Sequence, residues 1–144
     1  MTRIDFYFNA ADKLQVACRL AGKALAQGRR MLIYAPQAET AQRIDRLLWT
    51  WPATGFVPHC AARDALAAST PVLIAGEAGA DGPCDVLLNL ADEAPPAFER
   101  FERLLEVVAG DDADRQAARG RYRFYRERGY SIADHDLARE SHDE

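Results

Sequence analysis

The residues with the most evident chemistry in this sequence are arginines near its carboxyl-terminal end. Residues 115–128 hold six arginines and one acid, Glu127, so this stretch carries +5 in a chain whose formal net charge is -4. Guanidinium groups form forked, charge-assisted hydrogen bonds to carboxylates, and arginine stems beside a phenol ring offer an apolar wall. At about 100° per residue, one helical stripe would contain Arg115, Arg119, Tyr122 and Arg126, with Arg123 beside it. The pattern predicts a binding site for an anionic partner.

Two other interpretations of this arginine stripe stay open at the level of sequence. A run of charges is most often a solvated helix face. Arginine and tyrosine also bind single-stranded nucleic acid directly, through phosphate contacts and base stacking. The acidic net charge argues against general binding to duplex DNA. Gly120 interrupts the stripe and weakens a helix by about 1 kcal/mol relative to alanine.

The sequence offers no recognisable catalytic, metal or nucleotide site. The glycine-rich stretch at residues 76–83 lacks the Lys-Ser or Lys-Thr of a phosphate loop and precedes an apolar run instead of a helix. Cys18, Cys60 and Cys84 are widely separated and form no C-x-x-C pair, so neither a disulfide framework nor a zinc site is indicated. His59 adjoins Cys60, but neighbours in an extended segment point to opposite sides. We therefore predict a protein that is not an enzyme and binds neither metal nor cofactor.

The elements that must position the arginine stripe follow from hydrophobic periodicity. Short apolar runs predict strands at residues 4–8, 31–34, 71–75 and 86–90, and helical spacing predicts helices at residues 13–26 and 38–49. Pro95 and Pro96 introduce a further predicted helix, with Phe98, Phe101, Leu104, Leu105 and Val108 on one stripe. A last helix, capped by Asp112 or Asp114, would run to about residue 128. The alternation predicts a three-layer α/β/α fold with a mostly parallel sheet.

The domain organisation predicted from composition is simple. One domain should occupy residues 1–132, and the polar residues 133–144 should form a disordered tail. No stretch has the apolar length of a membrane span, and the amino terminus lacks the pattern of a signal peptide. We expect a soluble, cytoplasmic protein.

Residues 49–59 form an unusually apolar connecting segment with the sequence WTWPATGFVPH. Clustered aromatic residues are typical of protein interfaces. The alternative is that Trp49 and Phe56 are core residues that seal a helix against the sheet. Trp51 and Pro58 are the residues of this segment that we most expect to be exposed. As an interface, the segment would offer Trp49, Trp51, Pro52, Phe56, Val57 and Pro58.

The order of several segments resembles the chi subunit of bacterial DNA polymerase III. The most specific part is the tryptophan-proline segment, followed by F-V-P-H and then by R-Y-x-x-Y-R. The matching segments are DFYF (residues 5–8), RRMLIYA (29–35), RIDRLLWTWP (43–52), FVPH (56–59), DVLLNL (85–90), FERFERLLEVV (98–108) and RYRFYRERGY (121–130).

The resemblance implies a Rossmann-like fold without a nucleotide site and a non-catalytic adaptor of the clamp-loader assembly. Arg115, Arg119, Tyr122 and Arg123 match positions that bind the acidic, phenylalanine-terminated tail of single-stranded-DNA-binding protein. The segment within residues 49–58 matches the surface that binds the psi subunit. Contact with DNA would be indirect, at the replication fork. Residues 109–114 form a shorter connection than is usual in the family and lack its apolar residues, so we expect a different pocket floor.

Overall fold

A computed structural model describes residues 2–50, 58–61, 70–76 and 85–140. Within these ranges the chain forms seven strands and four helices. In chain order they are β1 (Arg3–Ala10), α1 (Lys13–Ala26), β2 (Met31–Tyr34), α2 (Ala38–Thr50), β3 (His59–Ala61), β4 (Val72–Ala75), β5 (Val86–Asn89), β6 (Arg103–Ala109), α3 (Asp112–Glu127), β7 (Ile132–Asp136) and α4 (Leu137–Glu140).

The strands form one sheet in the order β3-β4-β2-β5-β6-β1-β7, and every described pair is parallel. One face of the sheet is covered by α1 and α2, and the other by α3. This arrangement confirms the predicted three-layer, Rossmann-like α/β fold. No helix in the described ranges is both long and apolar enough to cross a membrane.

The first helix and the strand after it show why the local sequence was informative. The Asp12 carboxylate caps α1 by accepting hydrogen bonds from the backbone N–H of Leu14 and Gln15, at 3.1 and 3.2 Å. The helix ends just before Gly28, whose φ of 71° suits a residue without a side chain. Strand β2 is a continuous apolar run, and it lies between β4 and β5 with both faces covered.

The helix predicted after Pro95 and Pro96 is wrong. Residues 98–100 form only a single 3-10 turn, and residues 103–109 form β6, between β1 and β5. The apolar residues fit helical spacing because a central strand is buried on both faces and shows no alternation. Leu104 and Val108 face α3, whereas Leu105 and Val107 face α1.

The expectation of a disordered tail from residue 133 is also wrong for residues 133–140. Strand β7 continues the sheet by pairing with β1 from Ile132, opposite Ile4, to Asp136, opposite Phe8. The ring of His135 stacks on that of Tyr7 with centroids 4.5 Å apart. Backbone pairing at a sheet edge does not require apolar side chains, so the polar composition of this segment did not predict a strand. Residues 141–144 lie outside the described ranges, and the single domain over residues 1–132 stays a prediction.

Candidate functional site

Helix α3 carries the arginine stripe and is held at both ends. Asp111 caps its start, because the carboxylate accepts a hydrogen bond from the backbone N–H of Asp114 at 3.0 Å. The cap therefore comes one residue before the predicted Asp112 and three before Asp114. The helix continues through Gly120 and stops before Gly129, whose φ is 82°. The helix is therefore continuous across the whole stripe, from Arg115 to Arg126.

A cleft of about 390 Å³ lies between α3 and the ends of β1 and β6. The predicted tail-binding residues all line it: Arg115, Arg119, Tyr122, Arg123 and Arg126. Three apolar residues complete the lining, namely Phe8, Val108 and Ala118. Sequence reasoning missed these three. Phe8 and Val108 reach the cleft only through the pairing of β1 with β6, and Val108 had been placed in a helix.

The four arginines of the cleft are Arg115, Arg119, Arg123 and Arg126, and they are exposed. No ion pair joins any of them to an acid in the described part of the chain. The cleft thus combines free guanidinium groups with an apolar lining, a combination suited to a ligand that is both acidic and apolar.

The other two arginines of the run have structural partners. Arg121 is buried, and its Nε donates to Glu106 Oε1 at 2.9 Å while Nη1 donates to the Asp92 carbonyl at 2.9 Å. The Arg128 guanidinium lies 3.5 Å from the centroid of the Phe124 ring. Arg121 is therefore neutralised by Glu106, whereas Arg128 is exposed and keeps its charge outside the cleft lining.

The Glu106 carboxylate is the centre of a buried polar network below the cleft. It is fully buried and accepts hydrogen bonds from Arg121, from the Tyr125 hydroxyl at 2.5 Å and from the Asn89 amide at 3.0 and 3.1 Å. Burial raises the pKa of the Glu106 carboxyl above its ordinary value, and Arg121, Tyr125 and Asn89 offset part of this effect. Because its members come from β5, β6 and α3, the network fixes how α3 is rotated over the sheet.

Tyr122 forms the wall of the cleft nearest to β7. Its ring centroid is 5.0 Å from that of Phe6 and 6.5 Å from that of Phe8, so neighbouring rings hold it in place. Its hydroxyl donates a hydrogen bond to Asp134 Oδ2 at 3.3 Å. Loss of solvation and the Asp134 carboxylate both raise the pKa of the Tyr122 phenol.

The second predicted surface is only partly described. Trp49, in the last turn of α2, is 59% exposed, and its ring makes an edge-to-face contact with that of His59 at a centroid distance of 5.0 Å. It is therefore not the core residue that the alternative interpretation required. Pro58, for which exposure was expected, is half-buried. Trp51, Pro52, Phe56 and Val57 lie outside the described residues.

The described ranges add no evidence for a reactive cysteine or a metal site. Cys18 is buried, and burial raises the pKa of its thiol to about 11. In the described ranges, no group of three or more His, Cys, Asp or Glu residues is arranged to hold a metal ion. Cys84 and residues 77–83 of the glycine-rich stretch lie outside those ranges.

The sequence matches one protein family over most of its length. The model of a family described as DNA polymerase III chi subunit, HolC, matches residues 1–133. Relatives include the DNA polymerase III subunit chi of Pseudomonas aeruginosa, which is 44% identical in an alignment of 145 residues that covers 96% of this chain and 99% of that protein. The subunit chi of Escherichia coli is 31% identical, with 82% of this chain and 81% of that protein covered. The subunit chi of Haemophilus influenzae is also 31% identical, with 83% of each covered. The matched range includes every residue that lines the cleft.

Proposed function

This chain belongs to the DNA polymerase III chi subunit family, and from that premise we propose that it is a non-catalytic adaptor. One surface binds the acidic carboxyl-terminal tail of single-stranded-DNA-binding protein, and the other binds the psi subunit of the clamp loader. The chain is thus an accessory subunit of the replicative polymerase, and its contact with DNA is indirect.

The observation that carries the proposal is a set of exposed arginines that form no ion pair in the described part of the chain and lie beside an apolar lining. A tail rich in aspartate and ending in phenylalanine needs guanidinium donors for its carboxylates and an apolar surface for its last ring. Phe8, Val108 and Ala118 supply the apolar surface, and the four cleft arginines supply the donors. An exposed ion pair contributes only about 0.2–1 kcal/mol. Several such pairs acting together with burial of the phenyl ring are therefore required, and binding weakens in salt.

A fluorescent peptide with the sequence of the partner's tail tests the first surface. Arg119→Glu should weaken binding at least about tenfold, which corresponds to 1.4 kcal/mol, because it places a like charge in the cleft. Tyr122→Ala should also weaken binding, since it removes the wall that Phe6 and Phe8 support. Arg100→Glu is the matched control: it makes the same change of charge at an exposed site before β6. Full affinity in both cleft variants would refute the assigned site.

The psi surface is tested by Trp49→Ala in a binding assay with the purified psi subunit. Among the large hydrophobic residues of the described ranges, Trp49 is the one that is exposed. Exposed aromatic anchors commonly dominate interfaces. The variant should lose affinity for psi and keep its affinity for the tail peptide. Gln42→Ala serves as control, because it is exposed two turns earlier on α2. Equal affinity of the Trp49 variant and the Gln42 variant for psi would exclude this anchor.

A further inference from the structure

The two sides of the cleft differ in charge. The α3 side carries the four arginines, whereas the β7 side carries Asp134 and Asp136. Phe6 is opposite Asp134 and Phe8 is opposite Asp136 in the parallel pairing of β1 with β7, so these four side chains point to the same face of the sheet. That face is the one covered by α3, because Phe6 packs against Tyr122. Both acids therefore lie on this face of the sheet, and Asp134 adjoins the cleft through its hydrogen bond with Tyr122.

The two acids are not equally available to a ligand. Asp136 accepts hydrogen bonds from the Asn9 amide at 2.9 Å and from the Ala138 backbone N–H at 3.1 Å. Asp134 is exposed and accepts only the hydrogen bond from the Tyr122 hydroxyl, and no arginine, lysine or histidine in the described part of the chain pairs with it. Its full negative charge is therefore presented to solvent.

Asp134 is close enough to act on a bound ligand. The Tyr122 ring lines the cleft and its hydroxyl touches Asp134, so the carboxylate lies about one aromatic ring beyond the lining. This distance is shorter than the Debye length of about 8 Å at physiological ionic strength. A negative group that reached the Tyr122 wall would be repelled, whereas one held along the α3 side would lie farther away.

We propose that Asp134 is a specificity-determining residue that biases the cleft toward an acidic peptide and against single-stranded nucleic acid. The inference rests on the proposed function and deepens it. A peptide tail can place its acids along α3 and turn its apolar terminal residue toward Phe8 and Tyr122. A nucleic-acid strand has a phosphate at every nucleotide and cannot keep all of them away from the β7 side. The arginines and tyrosine alone would suit either ligand.

The test compares an oligothymidylate with the tail peptide as ligands of the whole chain. A unit charge at about 6–8 Å in water changes affinity by about two- to threefold, so Asp134→Asn should raise affinity for the oligothymidylate by about that factor at low salt. Asp134→Lys should raise it by about four- to ninefold, the same effect applied twice. Affinity for the peptide should rise by less in both variants. The introduced amide keeps an oxygen that can accept the Tyr122 hydrogen bond, so Asp134→Asn isolates the charge.

Glu99→Gln and Glu99→Lys are the matched controls, since Glu99 is exposed and precedes β6 while the cleft lies at the far end of that strand. The controls should leave both affinities unchanged. Equal gains in the Glu99 variants, no gain for the oligothymidylate in either Asp134 variant, or an equal gain for both ligands would each overturn the proposal. A wild-type chain that binds the oligothymidylate as tightly as the peptide would overturn it too. Failure of the wild type to bind the peptide would instead refute the proposed function.

Discussion

Replacing the buried Arg121 by methionine should destabilise the protein strongly. The substitution leaves the Glu106 carboxyl fully buried with hydrogen bonds only from Tyr125 and Asn89. Removing one partner of a buried ion pair typically costs about 3–5 kcal/mol. In the described part of the chain Arg121 Nη2 is buried without a hydrogen-bond partner, and the substitution relieves that cost. We therefore expect the lower end, about 3 kcal/mol, or roughly 9 °C in Tm at about 3 °C per kcal/mol.

Arg123→Met is the matched control for this prediction, because it makes the same chemical change two residues along α3. Arg123 is exposed in the cleft and forms no ion pair with a described residue, so its loss should change stability by less than about 0.5 kcal/mol. Urea unfolding followed by circular dichroism measures the stability, and the tail-peptide titration measures binding. Arg121→Met should lose stability, whereas Arg123→Met should lose affinity for the peptide. Equal stability of the two variants would refute the role assigned to the Glu106 network.

The loss of stability in the Arg121→Met variant should also depend on pH. Burial raises the pKa of Glu106 above 4.5, and without the positive charge of Arg121 the pKa rises further. A carboxyl with a raised pKa in the folded state binds a proton more readily when folded than when unfolded. The stabilisation that comes from proton binding at Glu106 is greatest below pH 4.5, and it is lost as the pH rises through the pKa of Glu106 in the folded state. The deficit relative to wild type should be smaller at pH 5 than at pH 7, and a deficit independent of pH would contradict this account.

Two further predictions concern stability. Gly120→Ala should raise the free energy of unfolding by about 1 kcal/mol, because an added Cβ meets nothing within 4 Å; thermal unfolding checks this, and a loss of stability would contradict it. Asp5→Asn should destabilise the protein at pH 7: although burial alone would raise the pKa of Asp5, its contacts with His135 and Arg103 lower it below 3.8. Because that contribution is lost as the pH falls through the lowered pKa, urea unfolding should show the wild-type and variant curves converging in acid.

The sequence determined most of the layered fold, since apolar runs and helical spacing are local properties. The bounds of α1 and β2 were predicted to the residue. The error at β6 has the same origin: in a strand buried on both faces, Leu104, Leu105 and Val108 match helical spacing as well as they match a strand. The sequence analysis did not identify Glu106, because no residue near it in the chain indicates that Arg121 and Tyr125 are its partners.

The make-up of the cleft was likewise predicted in part from the sequence and decided in part by the tertiary structure. Helical periodicity alone placed Arg115, Arg119, Tyr122, Arg123 and Arg126 together, because residues one turn apart share a helix face. Only the folded chain decided that Arg121 is buried and paired, whereas the four cleft arginines form no ion pair in the described part of the chain. Only the parallel pairing of β1 with β6 and β7 brought Phe8, Val108 and Asp134 to the same helix. Burial and pairing are settled by residues far away in the chain, and a local pattern carries no information about them.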